Sequence, residues 1–267
     1  MAKVIGIVAV KGGVGKTTIA SSLATDLANH FGKKVLLVDA NYSSPHVALH
    51  MNIENPTKTV HDVITGRARI NSAINTQYGV DVITGDYLPN HTINPFKLKS
   101  KIDSIKDNYD FIILDASPSV NEELLSAFVA SDSLFIVSTP DEPTLTSSLK
   151  TALLAKHRNT PVHGIILNKI RDPNYELTLQ EIESATGIPI VAKIHDHKSV
   201  GRALYTRIPV SLYNRNSQFS KQISAISSVI TGERQQIGFF RELLGLPLRP
   251  EEVNREIVRG YYDSPIR

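Results

Sequence analysis

Val10-Lys11-Gly12-Gly13-Val14-Gly15-Lys16-Thr17-Thr18 lies between an apolar, β-branched run, Val4–Val10, and an amphipathic stretch, Thr17–His30. Strand, glycine-rich loop and helix in that order are the setting of a phosphate-binding loop. Glycines let the backbone turn its N–H groups inward and approach phosphate oxygens closely. The opening turn of the helix adds free donors and a favourable dipole. Within this frame Lys16 should reach the β- and γ-phosphates, Thr17 should place its hydroxyl on Mg²⁺, and Thr18 is placed to bond an α-phosphate oxygen. Gly12, Gly13, Val14 and Gly15 supply the cradle. The usual G-x-x-x-x-G-K-[ST] pattern needs a glycine four residues before Gly15, where Val10 stands. A second lysine, Lys11, occupies the loop instead.

Outward from the loop, short apolar runs recur at Lys34–Val38, Val80–Thr84, Phe111–Leu114, Leu134–Ser138, Gly164–Leu167 and Ile190–Ile194. Most are apolar on both faces, as strands buried between two helix layers should be. Between them Asn121–Ala130, Leu145–Lys156, Leu177–Thr186 and Gln218–Ile230 read as helices. In Thr17–His30 the residues Ile19, Leu23 and Leu27 recur at four-residue spacing, and Gly32 is a stop signal. Alternating strands and helices predict an α/β fold with a doubly wound, mainly parallel sheet. In such folds nucleotides bind at the C-terminal ends of the strands.

The chain has 267 residues, within reach of one large α/β domain. Its formal net charge of +3 is a mild excess that demands no nucleic-acid partner, and no long Lys/Arg run appears. The absence of cysteine excludes disulfides, thiolate zinc sites and cysteine-ligated iron–sulfur clusters. No apolar run is long enough to span a bilayer, so a cytoplasmic location, with visits to a membrane surface, is expected.

Two strand ends carry acids. Val35-Leu36-Leu37-Val38 runs into Asp39, which is placed to hold Mg²⁺ through water. Four apolar residues, Phe111 to Leu114, precede Asp115, the Walker B form, which puts Asp115 on the metal's water shell. Thr17, Asp39 and Asp115 are therefore the metal-side residues.

The loop resembles the deviant Walker A motif of the MinD/ParA ATPases, K-G-G-x-G-K-T-[ST], and the resemblance covers residues 1 to about 231. It implies a homodimer formed around ATP, in which Lys11 contacts the nucleotide of the partner subunit. It also implies a switch I pattern D-x-D beginning at Asp39, whose second acid orients the attacking water. Here that position is Asn41. An amide cannot take a proton as a base, yet it can orient water, so tight ATP binding with slow hydrolysis is expected. A long-lived ATP state relieved by an activating partner is the alternative. Lys11, Lys16, Asp39 and Asn41 are the catalytic candidates. By the same resemblance, Asn168 and Lys169 at a strand end, and Asp196 in the segment Ile194–Val200, face the adenine base. The family proline after the isoleucine is replaced here by His195. MinD-like proteins, archaeal-type in particular, are the nearest in look. They act as ATP-gated switches that position a partner on a surface. A ParA-like DNA-partitioning ATPase is the second reading, although Arg202, Arg207, Arg215 and Lys221 are scattered along the chain. A nucleotide-binding interaction module with negligible turnover is the third.

Composition shifts near Gly232, which divides an ATPase domain, 1–232, from an extension, 233–267. Within the extension Glu233–Leu246 has an apolar side with Phe239, Phe240, Leu243 and Leu244, and Glu251–Arg259 could form one more helix. The first could bind a membrane, as the C-terminal helix of bacterial MinD does. Its mixed charges and internal position favour packing on the domain or a protein contact instead.

Overall fold

Every run read as a strand becomes one in the computed structural model, which describes residues 1–88, 92–172, 174–233 and 249–263. In chain order the elements are β1 (Lys3–Val8), α1 (Lys16–Phe31), β2 (Val35–Ala40), α2 (Val47–His50), α3 (Val60–Thr65), β3 (Asn75–Gln77) and β4 (Val80–Ile83). There follow α4 (Lys97–Asp103), β5 (Phe111–Ala116), α5 (Glu122–Ala130), β6 (Ser133–Ser138), α6 (Glu142–His157), β7 (Val162–Ile170), α7 (Leu179–Thr186) and β8 (Ile190–His195). The chain continues through α8 (Lys198–Thr206), α9 (Val210–Tyr213), α10 (Gln218–Thr231) and α11 (Pro250–Asp263).

The eight strands form one sheet in the order β3-β4-β2-β5-β1-β6-β7-β8. Neighbours are parallel except β3 and β4, so the sheet is mainly parallel as expected. β1, the strand that leads into the phosphate loop, lies between β5 and β6. Alternate residues feed two cores. Ile5 and Ile7 pack with Ile19, Leu23 and Leu27 of α1 and with Phe219, Ile223 and Ile226 of α10. Val4 and Val8 pack on the other face with Leu124 and Phe128 of α5 and with Ile182 of α7. Apolar burial of this extent on both faces is the main stabilising term.

Caps explain where helices begin. The Asn121 side chain accepts the Leu124 N–H at the start of α5, and Asp141 accepts the Thr144 N–H at the start of α6. With Asp141 as cap and Pro143 in its first turn, α6 starts three residues before the expected Leu145. Thr178 and Glu181 form a capping box, so α7 begins at Leu179 rather than Leu177. β1 ends at Val8, two residues short of the expected Val10, because Ala9 and Val10 already turn into the loop. β2 instead runs on to Ala40 and takes Asp39 into the ladder.

The expected helix over Glu233–Leu246 lies, beyond Glu233, outside the described residues. The expected Glu251–Arg259 helix is α11, longer at both ends. It walks across the N-terminal ends of four strands. Asn254 Nδ2 donates to the Ile190 carbonyl at 2.7 Å and to Glu183 Oε1 at 2.6 Å. Arg255 Nε donates to the Val191 carbonyl at 2.7 Å. Val258 is buried in the first core. The Tyr262 hydroxyl shares hydrogen bonds with His163 Nδ1 of β7 at 2.9 Å and Ser133 Oγ of β6 at 3.3 Å. Lys3 of β1 lies 4.2 Å over the Tyr262 ring and donates to its carbonyl at 3.2 Å. Among the described residues, no helix is long and apolar enough to cross a membrane.

Candidate functional site

The sheet register brings the two acids together. Asp39 of β2 stands opposite Asp115 of β5, and both are fully buried, at 0% and 1% exposure. Asp39 accepts the backbone N–H of Val47 at 2.9 Å and of Asn41 at 3.2 Å. Asp115 Oδ2 accepts the Thr17 hydroxyl at 2.6 Å, while its Oδ1 is buried without a partner. Burial, then the Asp115 charge, pushes the Asp39 carboxyl well above the usual range. Burial likewise raises Asp115 to about 6, against the Thr17 hydrogen bond and the Lys16 charge. The Lys16 ammonium, itself buried, is pushed down by desolvation and held up in part by Asp115.

Two carboxylates and one ammonium in a desolvated site leave excess negative charge and an orphaned oxygen. That donor chemistry fits a hard divalent cation. Mg²⁺ takes one or two protein oxygens and fills its remaining positions with water and phosphate, so Thr17, Asp39 and Asp115 are a sufficient set. Among the described residues, no cluster of three or more His, Cys, Asp or Glu offers an all-protein metal cage.

The loop itself is shaped by two of its glycines. Gly13 and Gly15 sit at φ +77° and +100°, where L side chains are strained. A Cβ on Gly15 would also collide with Asn168 Nδ2. Gly12 carries neither demand; a Cβ there would meet only Pro118, at 4.0 Å. From behind, Asn168 Nδ2 donates to the Val14 carbonyl at 2.8 Å and Lys169 Nζ to the Gly13 carbonyl at 2.7 Å. The end of β7 thus holds the loop open. Gly15 caps α1 without a side-chain hydrogen bond, so the first N–H groups of α1, from Lys16 through Thr18, remain available to an anion.

Asn41 is buried at 6% exposure. Its Nδ2 donates to the Ser44 carbonyl, and its Oδ1 is buried without a partner. The segment it opens is fastened on two sides. Ser43 donates both its hydroxyl and its N–H to the Glu123 carboxylate of α5. His61 of α3 bridges the other side: Nδ1 accepts the Asp86 N–H at 3.0 Å, so Nε2 carries the proton toward the Tyr42 carbonyl at 3.2 Å. Desolvation by burial lowers the pKa of this ring, which agrees with a neutral imidazole.

Lys11 reaches the first turn of α6, where its Nζ lies 3.1 Å from Asp141 Oδ1 and 2.7 Å from Thr144 Oγ1. Partial burial would raise the Asp141 carboxyl, but hydrogen bonds from Thr139, Thr144 and Lys11 hold it at about 2. The Lys11–Asp141 pair is two-fifths exposed on each side, so it is weak enough to exchange. Asp196 lies at the end of β8, where its carboxylate accepts Arg171 Nε at 2.9 Å and its N–H bonds the Ile170 carbonyl, not the loop. His197 caps α8 through its Nδ1.

The structure therefore gathers Lys16, Thr17, Asp39, Asn41 and Asp115 in one site, with Asn168 and Lys169 behind the loop and Lys11 at the rim. Sequence reasoning missed Asp141, Thr144, Ser43 and Glu123. Asp141-x-x-Thr144 carried a helix-cap signal, but nothing local says that the cap also holds Lys11, which lies 130 residues away in the sequence. The Ser43–Glu123 contact joins elements 80 residues apart and left no pattern.

A family model described as an AAA domain, AAA_31, matches residues 2–153. An uncharacterised ATP-binding protein of Methanocaldococcus jannaschii is 30% identical over 239 residues, which cover 88% of this chain and 90% of that protein. Among solved structures, the cell division ATPase MinD of Pyrococcus furiosus superposes with TM-score 0.82 at 27% identity, over 88% of this chain and 100% of that one. The septum site-determining protein MinD of Pyrococcus horikoshii, solved with Mg-ADP, gives TM-score 0.79 at 27% identity, over 84% of this chain and 93% of that one.

Proposed function

Because the chain belongs to the MinD/ParA family of P-loop ATPases, we propose that it binds Mg²⁺–ATP and acts as an ATP-gated dimeric switch that positions a partner on a membrane or other surface. The observation that carries this reading is Lys11. A plain phosphate loop needs only Lys16. The second lysine stands at the rim of the site, held by an exposed, exchangeable contact to Asp141 and Thr144. Once released it can reach outward to a second copy.

The residues divide the work. Lys16 and the free N–H groups of α1 neutralise phosphate charge in a buried setting, where each interaction is stronger than in water. Thr17, Asp39 and Asp115 hold the magnesium, which when bound draws charge from the phosphate oxygens. Asn168 and Lys169 fix the loop and face the base, with Asp196 nearby. Asn41 presents an unpartnered Oδ1 that can accept a hydrogen bond from the attacking water but cannot take its proton. Hydrolysis is therefore slow until a partner assists. Residues 1–232 carry this activity, and the extension 233–267 contributes contacts outside the nucleotide site.

Light scattering with ATP and with ADP tests the switch. ATP should double the mass of the wild type and leave Lys11→Ala monomeric, with nucleotide affinity changed less than about threefold. A monomer under both nucleotides refutes the dimeric reading. For the chemistry, Asn41→Asp should hydrolyse faster in steady state by about tenfold. A wild-type rate equal to or above that of the variant would sink the slow-hydrolysis assignment.

A further inference from the structure

His61 stands where three parts of the molecule meet. It lies in the first turn of α3, whose start is fixed by the capping box of Thr59 and Asp62 and by the Val60 N–H on the Thr84 carbonyl at 2.8 Å. The ring is buried, at 7% exposure, and both of its nitrogens are engaged. Nδ1 accepts the Asp86 N–H from the loop after β4, and the Nε2 proton meets the Tyr42 carbonyl. A Cβ on Gly85 would come within 3.7 Å of His61 Cε1 and would collide with Pro45, so the segment 41–46 is seated on the end of β4. The Tyr42 ring is buried edge-on against the imidazole, with centroids 5.9 Å apart and planes at 81°. Burial lowers the pKa of the imidazole against the Tyr42 hydrogen bond and the charges of Asp86, Glu123 and Asp62. Only a neutral ring with its proton on Nε2 can accept from Asp86 and donate to Tyr42 at once.

We infer that His61 is a positioning residue for ATP hydrolysis: it clips Tyr42 between α3 and the end of β4, and through Tyr42 it aims the Asn41 amide at the attacking water. Asn41 is tied on both sides. Its N–H donates to Asp39 Oδ1 at 3.2 Å, and the residue after it, Tyr42, is held by His61. Its Nδ2 closes the turn onto the Ser44 carbonyl, which leaves Oδ1 unpartnered and pointing in one direction. Phosphoryl transfer depends on such placement, and an error of about 1 Å at the reacting atoms costs about a hundredfold. An amide cannot take the proton from water, so it contributes by orientation alone and needs a rigid support behind it. His61 supplies that support without touching the reacting atoms. The catalytic consequence rests on the ATPase reading; the clip joining α3, β4 and Tyr42 does not.

Steady-state hydrolysis of Mg²⁺–ATP by the full chain tests the role. His61→Phe keeps a ring and removes both hydrogen bonds, so it should lower kcat about tenfold and leave KM for ATP within about threefold. His61→Gln offers an acceptor and a donor about as far apart as the two ring nitrogens and should recover most of that loss. In an Asn41→Ala background His61→Phe should cost less than about twofold more, because the partner it acts through is gone. Amide exchange of the nucleotide-free chain reads the clip without ATP. The Asp86 N–H should exchange at least about tenfold faster in His61→Phe and near the wild-type rate in His61→Gln. In the wild type, which needs no variant to fold, ¹⁵N shifts should show the His61 proton on Nε2 and not on Nδ1. Wild-type kcat in His61→Phe, losses that multiply with Asn41→Ala, or a rise in KM as large as the fall in kcat would overturn the role. The opposite tautomer, or unchanged Asp86 exchange in His61→Phe, would overturn the clip. No turnover by the wild type would overturn the ATPase reading and the catalytic role with it, while the exchange result still judges the clip.

Discussion

The two edges of the sheet are built on opposite terms. At the C-terminal edge two buried carboxylates face each other, a lysine is desolvated, and Asp115 Oδ1 and Asn41 Oδ1 have no partner. At the N-terminal edge α11 lays Asn254, Arg255 and Tyr262 onto the starts of β8, β7 and β6, and most of its polar groups find partners. The Glu251 carboxylate and Arg259 Nε are the exceptions: both are buried without a partner, Glu251 at the helix end where a negative charge is most favoured. The contrast teaches that one edge keeps interactions in reserve for a ligand while the other holds the fold together.

Removing the buried ammonium should break this division most visibly. Lys16→Ala is expected to lower Mg²⁺–ATP affinity by about a hundredfold or more, measured by calorimetry, with little change in melting temperature. Next in size is the opposite edge. Ending the chain after residue 248 removes α11 and should cost about 3 kcal/mol in urea unfolding, with nucleotide affinity kept within about threefold. A loss of ATP binding as large as the loss of stability would dissolve the distinction between the edges.

A smaller effect sharpens it. Asp115→Asn should stabilise the nucleotide-free protein by about 1–3 kcal/mol and shrink the stabilisation by Mg²⁺–ADP. The sign follows from the raised carboxyl. Folded Asp115 holds its proton up to about 6, above its unfolded value, so ionising it costs stability as pH rises through that range. The advantage of the variant should therefore be larger at pH 7.5 than at pH 5. His163 runs the other way. Burial, then the Lys3 charge, lowers it to about 4, so the unfolded chain binds the extra proton and stability is lost as pH falls from about 6.5 toward 4. His163→Gln should lose less than wild type between pH 7 and pH 5, by about 1 kcal/mol in chemical denaturation.

Legibility in the sequence followed the physics of each element. β2, β5 and β6 are covered on both faces and so read as uninterrupted apolar runs. β3 is three polar residues, Asn75-Thr76-Gln77, defined only by its antiparallel pairing with β4, and no pattern announces it. α8 buries only Ser199 and Ala203, small residues that leave no apolar period. In the site, Lys16, Thr17 and Asp115 were readable because loop and strand end are each contiguous motifs. That Asn168 turns its amide to the Val14 carbonyl, 154 residues away, depends on the register of β6 and β7 and could not be read.

The clasp between Lys3 and Tyr262 has a practical side. It brings residues 3 and 262 together at the foot of the central strands, about 20 Å below the phosphate loop at 3.3 Å per strand residue. A tether, a fluorophore or a sensor-chip linkage added beyond either position would leave from the far side of the molecule. Immobilised in that way, the protein would present the edge that carries the phosphate loop to solution.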